Sequence, residues 1–176
     1  MKKYIVALLF VASTSIGMSQ DILYGVRGAL NVSNLDFEPD ATFENQHRNG
    51  FAFGGFVEFN LSSRVSLLTE LQWSAEGAKE HNLRADYIKL PILFRVNIAD
   101  NLTLGYGPQI ALKTWAYEDS FETFAFSGVA GLEYMITDEL FVDARYYYGI
   151  TNILDEDFTD TEANNHVLQF GIGIKL

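Results

Sequence analysis

An all-β chain, eight antiparallel strands closed into a transmembrane β-barrel behind a cleaved signal peptide, follows from three properties of this sequence taken together. Hydrophobic residues recur with period two from about residue 23 to the last residue. The connections between these stretches alternate between tight and long. The final stretch, Leu168 to Leu176, is itself an alternating strand that ends with the chain. An even strand count, with short turns on one side and longer loops on the other, is the pattern of a membrane barrel.

The leader comes first. Met1-Lys-Lys3 is basic, Tyr4 to Ala12 is apolar, and Gly17-Met-Ser19 offers a small-x-small cleavage site before Gln20. Residues 1–19 therefore read as a secretory signal peptide and residues 20–176 as the barrel domain; the apolar run is too short to span a bilayer as a helix. The chain has no cysteine, so neither lipid attachment at cysteine nor disulfides are expected, and stability must come from a core or a closed sheet.

Strands are predicted near 23–32, 50–60, 65–76, 85–98, 102–113, 123–136, 140–152 and 165–176. Most match or exceed the roughly 9–11 residues that a tilted membrane strand needs. Leu61-Ser-Ser-Arg64, Ala99-Asp-Asn101 and Thr137-Asp-Glu139 are tight turns, while 33–49, 77–84, 114–122 and 153–164 are long. Both termini then lie on the short-turn side, which in this topology is periplasmic.

Each strand has one oily face. In the fourth, Ile88, Leu90, Ile92, Phe94, Val96 and Ile98 oppose Tyr87, Lys89, Pro91, Leu93, Arg95 and Asn97. A soluble, lipocalin-like barrel would turn the oily face inward around a ligand. The aromatics argue for lipid instead. Phe51, Phe53, Trp73, Phe124, Phe126 and Tyr148 fall near the long-loop ends, and Tyr24, Phe59 and Tyr134 near the short turns, as two headgroup girdles require.

The other face then lines the lumen. It receives Arg27, Lys89, Arg95, Lys113, Arg145 and Lys175 together with Glu58, Glu70, Glu133 and Asp143. An eight-stranded barrel has room only for its own side chains, and buried charges persist when paired. A salt-bridge network that plugs the lumen is expected, with glycines such as Gly25, Gly131 and Gly171 leaving space for long side chains. Pro91 and Pro108 lack a ladder donor and should each mark a bulge or a solvated irregularity.

Net charge is −11, which excludes nucleic acid as a partner. By sequence, 33–49, 76–86, 114–122 and 153–164 carry −3, −1, −3 and −5, so the charge belongs to the long loops, predicted to be extracellular. Asp155-Glu-Asp-Phe-Thr-Asp-Thr-Glu162 lacks the spacing of a calcium-binding loop and reads as a solvated acidic surface. For catalysis, His47 with Asp119 and Ser120 is the sole triad-like set, and a serine and histidine on loops are ordinarily polar surface. No enzyme activity, metal or cofactor is expected.

Two resemblances add to this reading. Gln169, Gly171, Ile174 and Leu176 are spaced as in the C-terminal assembly signal of bacterial outer-membrane proteins, except that an aromatic is commoner at the last place. That implies the barrel-assembly machinery as a partner during biogenesis, and outer-membrane lipid and lipopolysaccharide as surroundings. Asp86-Tyr-Ile-Lys-Leu-Pro-Ile-Leu-Phe-Arg95, followed by Leu104-Gly-Tyr-Gly-Pro-Gln-Ile110, resembles the PorT-like outer-membrane β-barrel family, with further likeness in Gly25–Asn34, Phe126–Tyr134 and Tyr146–Asn152. The resemblance implies an envelope barrel of Gram-negative type. A structural or adhesive surface role is expected. The alternatives are a subunit of a protein-secretion or surface-assembly machine with an envelope partner, a narrow pore, or a lipid-modifying enzyme.

Overall fold

The computed structural model describes residues 22–39, 45–116, 121–154 and 162–176. The leader expected over 1–19, Phe43, the Asp119-Ser120 pair with Tyr117, and the acidic run from Asp155 to Thr161 lie outside the described residues.

Eight strands form the fold: β1 (Ile22–Glu38), β2 (Arg48–Asn60), β3 (Val65–Gly77), β4 (Arg84–Ala99), β5 (Leu102–Ala116), β6 (Phe124–Met135), β7 (Leu140–Gly149) and β8 (Glu162–Lys175). Each pairs antiparallel with its neighbours, and β8 returns to β1 to close the barrel. The tight turns are stitched by backbone bonds such as Leu61 N–H to Val65 O (2.9 Å) and Ile136 N–H to Leu140 O (2.8 Å).

The ladder can be followed round the ring. Ile22 pairs with Phe59, then Leu67, Phe94, Tyr106, Ala130, Tyr146 and Leu168, and the path re-enters β1 at Val32, ten residues beyond its start. That stagger fixes the tilt of the strands and the width of the lumen. Every member of this row is apolar or aromatic and none is buried. An apolar exterior wrapped round a polar interior is the inverse of a soluble barrel and needs lipid outside. Arginine at Ile92, midway along β4, is expected to cost about 2–4 kcal/mol, against about 0–1 for arginine at Ile98 near the short turn. Denaturant unfolding of the two variants in lipid vesicles checks this; equal costs would count against a bilayer centred on Ile92.

β1 and β8 are among the strands that run further than their hydrophobicity suggests. β1 continues to Glu38 and β8 begins at Glu162, with Asn34, Asp36 and Glu38 opposite His166, Asn164 and Glu162. The cause is a reversal of phase. Below this level the outward residues are apolar and the inward ones polar. From Asn34 upward the polar residues point out, while Leu35 and Phe37 are buried inside. Above the belt the exterior meets water, so the same alternation serves the opposite polarity.

Pro91 makes no bulge but does interrupt a ladder: the β3–β4 pairing skips Leu90 and Pro91, and the β4–β5 pairing skips Ile92 and Leu93 opposite Pro108 and Gly107. It is buried on the lumen side, and the pairs on either side of that second gap, Pro91 with Gln109 and Phe94 with Tyr106, keep one register. The irregularities fall at Asp86/Tyr87 and Asn97/Ala99, near the two ends of β4. Pro108 is exposed on the outward face opposite Gly128, again in register.

Candidate functional site

The inward side chains stack as three layers along the barrel axis, each electrically neutral. At the short-turn end, Arg95 meets Glu58 (2.9 Å) and Glu133 (2.5 Å), and the Lys175 ammonium bridges the same two carboxylates at 3.0 and 2.7 Å. Ser66 adds a hydroxyl donated to Glu58. Two cations face two anions.

In the middle layer the Arg27 guanidinium grips Asp143 with two hydrogen bonds of 2.6 Å, from Nε and Nη2. Arg145 bridges Glu70 (2.5 Å) and Asp143 (3.2 Å). Two glutamines complete the layer: Gln169 accepts from Arg27 at 2.9 Å, Gln72 donates to Glu70 at 2.9 Å, and the two amides bond to each other. Bidentate pairing suits a dry interior, because it satisfies several donors and acceptors in one geometry.

The third layer holds one pair. Lys89 contacts Glu76 at 2.6 Å and lies over the Tyr147 ring at 3.9 Å. Glu76 also accepts from Ser74 and Asn165, both at 2.6 Å. The predicted third strand ends on it, but its charge falls within 76–86 and not in the inward set expected from the sequence; it lies in the lumen, 1 % exposed. The inward column Glu70, Gln72, Ser74 points directly to it, since β3 simply continues for two more residues. Lys113, expected among the lumen charges, donates instead to the Phe121 carbonyl at the upper rim.

An apolar cap lies above Lys89. Leu35, Phe37, Ala85, Tyr87, Phe121 and Ile153 belong to one buried cluster there. A bridge from Phe121 to Leu154, and the bonds Glu122 N–H to Ile153 O (2.8 Å) and Ile153 N–H to Ala163 O (2.9 Å), tie the described ends of the β5–β6 and β7–β8 connections together beside this cluster. A second cluster, with Phe56, Leu68, Leu93, Phe141 and Val167, fills space between the polar layers.

The C-terminal quartet divides between the two faces. Gln169 and Gly171 lie on the lumen side: Gln169 belongs to the middle layer, and a Cβ on Gly171 would sit 2.4 Å from Asp143 Oδ1 and 2.7 Å from Arg27 Nε. Ile174 and Leu176 point outward and are exposed. Leu176 N–H bonds to Tyr24 O at 2.7 Å, so the last residue closes the seam with β1.

None of the three histidines belongs to the three charge layers. His47 bridges to Ala78, His81 opens a short 3-10 turn, and His166 stands outside between Tyr146 and Tyr148, 3.7 Å from Asp36. Among the described residues no cluster of three His, Cys, Asp or Glu could hold a metal ion.

Known structures share this architecture. Neisserial surface protein A superposes with a TM-score of 0.61 at 12% identity, over 87% of this chain and 97% of that one. The attachment invasion locus protein Ail of Yersinia pestis gives 0.56 at 14% identity, over 88% and 98%. Ail in complex with the heparin analogue sucrose octasulfate gives 0.52 at 15% identity, over 88% and 99%. At these identities the likeness is one of fold. No curated protein sequence matches the chain. A family model described as "Outer membrane protein beta-barrel domain" covers residues 5–175, and the chain belongs to that family.

Proposed function

We propose that this protein is a non-conducting barrel of the bacterial outer membrane, with periplasmic termini, that anchors acidic loops at the cell surface in a structural or adhesive role. The filled lumen carries the reading. Among the described residues, three neutral layers and an apolar cap leave no continuous polar column, and the interior of an eight-stranded barrel is already taken up by side chains. What remains for function is the outside: the loops and the upper rim.

The loop charge bears on what could be bound. Ail has been crystallised with a polysulfated heparin analogue, whereas the long connections here are acidic by sequence and would repel a polyanion. A cationic surface, or one bridged by divalent cations, suits these loops better. The narrower PorT-like resemblance points to a secretion or assembly machine. Crosslinking in intact cells separates the two: a reproducible stoichiometric protein partner favours the machine, and a lone barrel with its lipid favours the surface role. The spacing of Gln169, Gly171, Ile174 and Leu176 supports recognition by the barrel-assembly machinery.

In planar bilayers the purified protein is expected to give no stable current steps. Discrete, reproducible openings would defeat the non-conducting reading.

A further inference from the structure

An apolar groove of about 830 Å³ crosses the outward face, and five of its residues bear on what fills it: Phe53, Gly55, Leu71, Trp73 and Ile88. Gly55 keeps its floor open: a Cβ there would have no atom nearer than 3.7 Å. Trp73 packs against Phe51 and Phe53, with ring centroids 5.2 and 5.4 Å apart, which sets the headgroup level beside the groove. Trp73 pairs with Ile88, and four residues up the same ladder Gly77 pairs with Arg84, about 13 Å away at about 3.3 Å per residue.

Arg84 shares the outward column of Asp86 and Ile88. Its Nε and Nη2 donate to the Lys79 carbonyl at 3.2 and 2.8 Å, and Lys79 Nζ donates to Gln46 at 2.6 Å. Among the described residues these bonds leave both cations with spare donors, since arginine has five and lysine three. The acids nearby are largely spoken for: Asp86 is paired with Arg48 at 3.4 Å, and Glu76 is buried against Lys89. Among the described residues, Arg48, Lys79 and Arg84 thus outnumber Asp86 and Glu80, a locally positive edge on a rim that is acidic at Asp36, Glu38, Glu122 and Glu162.

We infer that this edge and groove together bind a phosphorylated glycolipid of the lipid A type, with a phosphomonoester between Lys79 and Arg84 and an acyl chain along Trp73, Ile88 and Gly55. A phosphomonoester carries nearly two negative charges and three acceptor oxygens, which match two cations with unused donors. Lipid phosphodiesters, with one charge, match them less well. The outer-leaflet source rests on the proposed orientation, with the long-loop end outside; the chemistry of the site does not.

Native mass spectrometry of the detergent-purified barrel tests it, with three probes: bisphosphorylated lipid A, its dephosphorylated form, and phosphatidylglycerol. Bisphosphorylated lipid A is expected to be retained in preference to the other two. Retention should fall about tenfold or more in the doubly substituted Lys79→Gln/Arg84→Gln protein, which removes two surface cations. Gly55→Leu, which fills the groove without touching the charges, should also reduce it. Heat-modifiable migration of each variant reports that the barrel has formed. Equal retention of the dephosphorylated lipid, or no loss in the double variant, would overturn the site. Equally tight phosphatidylglycerol would overturn the phosphomonoester assignment. Labelling of Glu80→Cys in intact cells by an impermeant thiol reagent examines orientation separately. A site that binds lipid A in detergent while Glu80→Cys stays unlabelled would place the failure in the orientation and its outer-leaflet source.

Discussion

Replacing Arg145 by Met is expected to destabilise the barrel by roughly 3–5 kcal/mol, the usual cost of breaking a buried ion pair from one side. Arg145 bridges Glu70 and Asp143, and neither carboxylate reaches water. Without it the middle layer holds two anions and the single cation Arg27, which already spends two bonds on Asp143. Arg27 lies 3.8 Å from Glu70, too far to replace the 2.5 Å contact. Adding Glu70→Gln to the same protein should recover a large part of the loss, because Arg27 and Asp143 then balance. Trp73 and Trp115, both on the outward face, report unfolding of vesicle-folded protein by fluorescence. If the double variant is no more stable than Arg145→Met alone, layer neutrality is not what sets the cost, and steric filling by the long guanidinium side chain is the better account.

How much of this was legible in the sequence depends on the kind of question. Period-two alternation decides a side, so it could assign Arg27, Glu58, Glu70, Lys89, Arg95, Glu133, Asp143, Arg145 and Lys175 to the inner face without a structure. It does not decide a partner. Arg27 and Asp143 stand 116 residues apart, and they meet only because the ring closes with a particular stagger; register is set by all eight pairings at once. The layered arrangement was therefore out of reach.

Where alternation misled, it did so at one height. Hydrophobicity of the outward residues ends near Val32 on β1 and Trp73 on β3, and a reader tracking lipid-facing residues stops there. The strands go on into water with polarity reversed, which is why Leu35 and Phe37 looked like loop residues and proved to be interior. Lys113 sits at this same boundary. A reading that allowed the phase to invert above the aromatic girdle would have found the cap; the partner of Lys89 needed only the inward column of β3 carried on to Glu76, with no inversion.

Gly171 is expected to tolerate no side chain. It belongs to the spacing that resembles an assembly signal, so its replacement would ordinarily be read as loss of recognition in the cell. The structure supplies a separate reason. A Cβ would come within 2.4 Å of Asp143 Oδ1 and 2.7 Å of two Arg27 nitrogens, contacts that real Cβ atoms do not make, and the bidentate pair at the centre of the barrel would have to part. Gly171→Val should therefore abolish the folded, heat-modifiable band when the purified chain is refolded into detergent, with no cellular machinery present. Leu176→Asp makes the contrast. Leu176 is exposed at the rim and holds β1 through its backbone, so this variant should refold in vitro and fail, if at all, only in cells. Adding Asp143→Ala and Arg27→Met to Gly171→Val removes the obstruction and should restore refolding in detergent. Were the triple variant to refold no better than Gly171→Val, the constraint on Gly171 would have to come from the backbone of β8 rather than from the ion pair it accommodates.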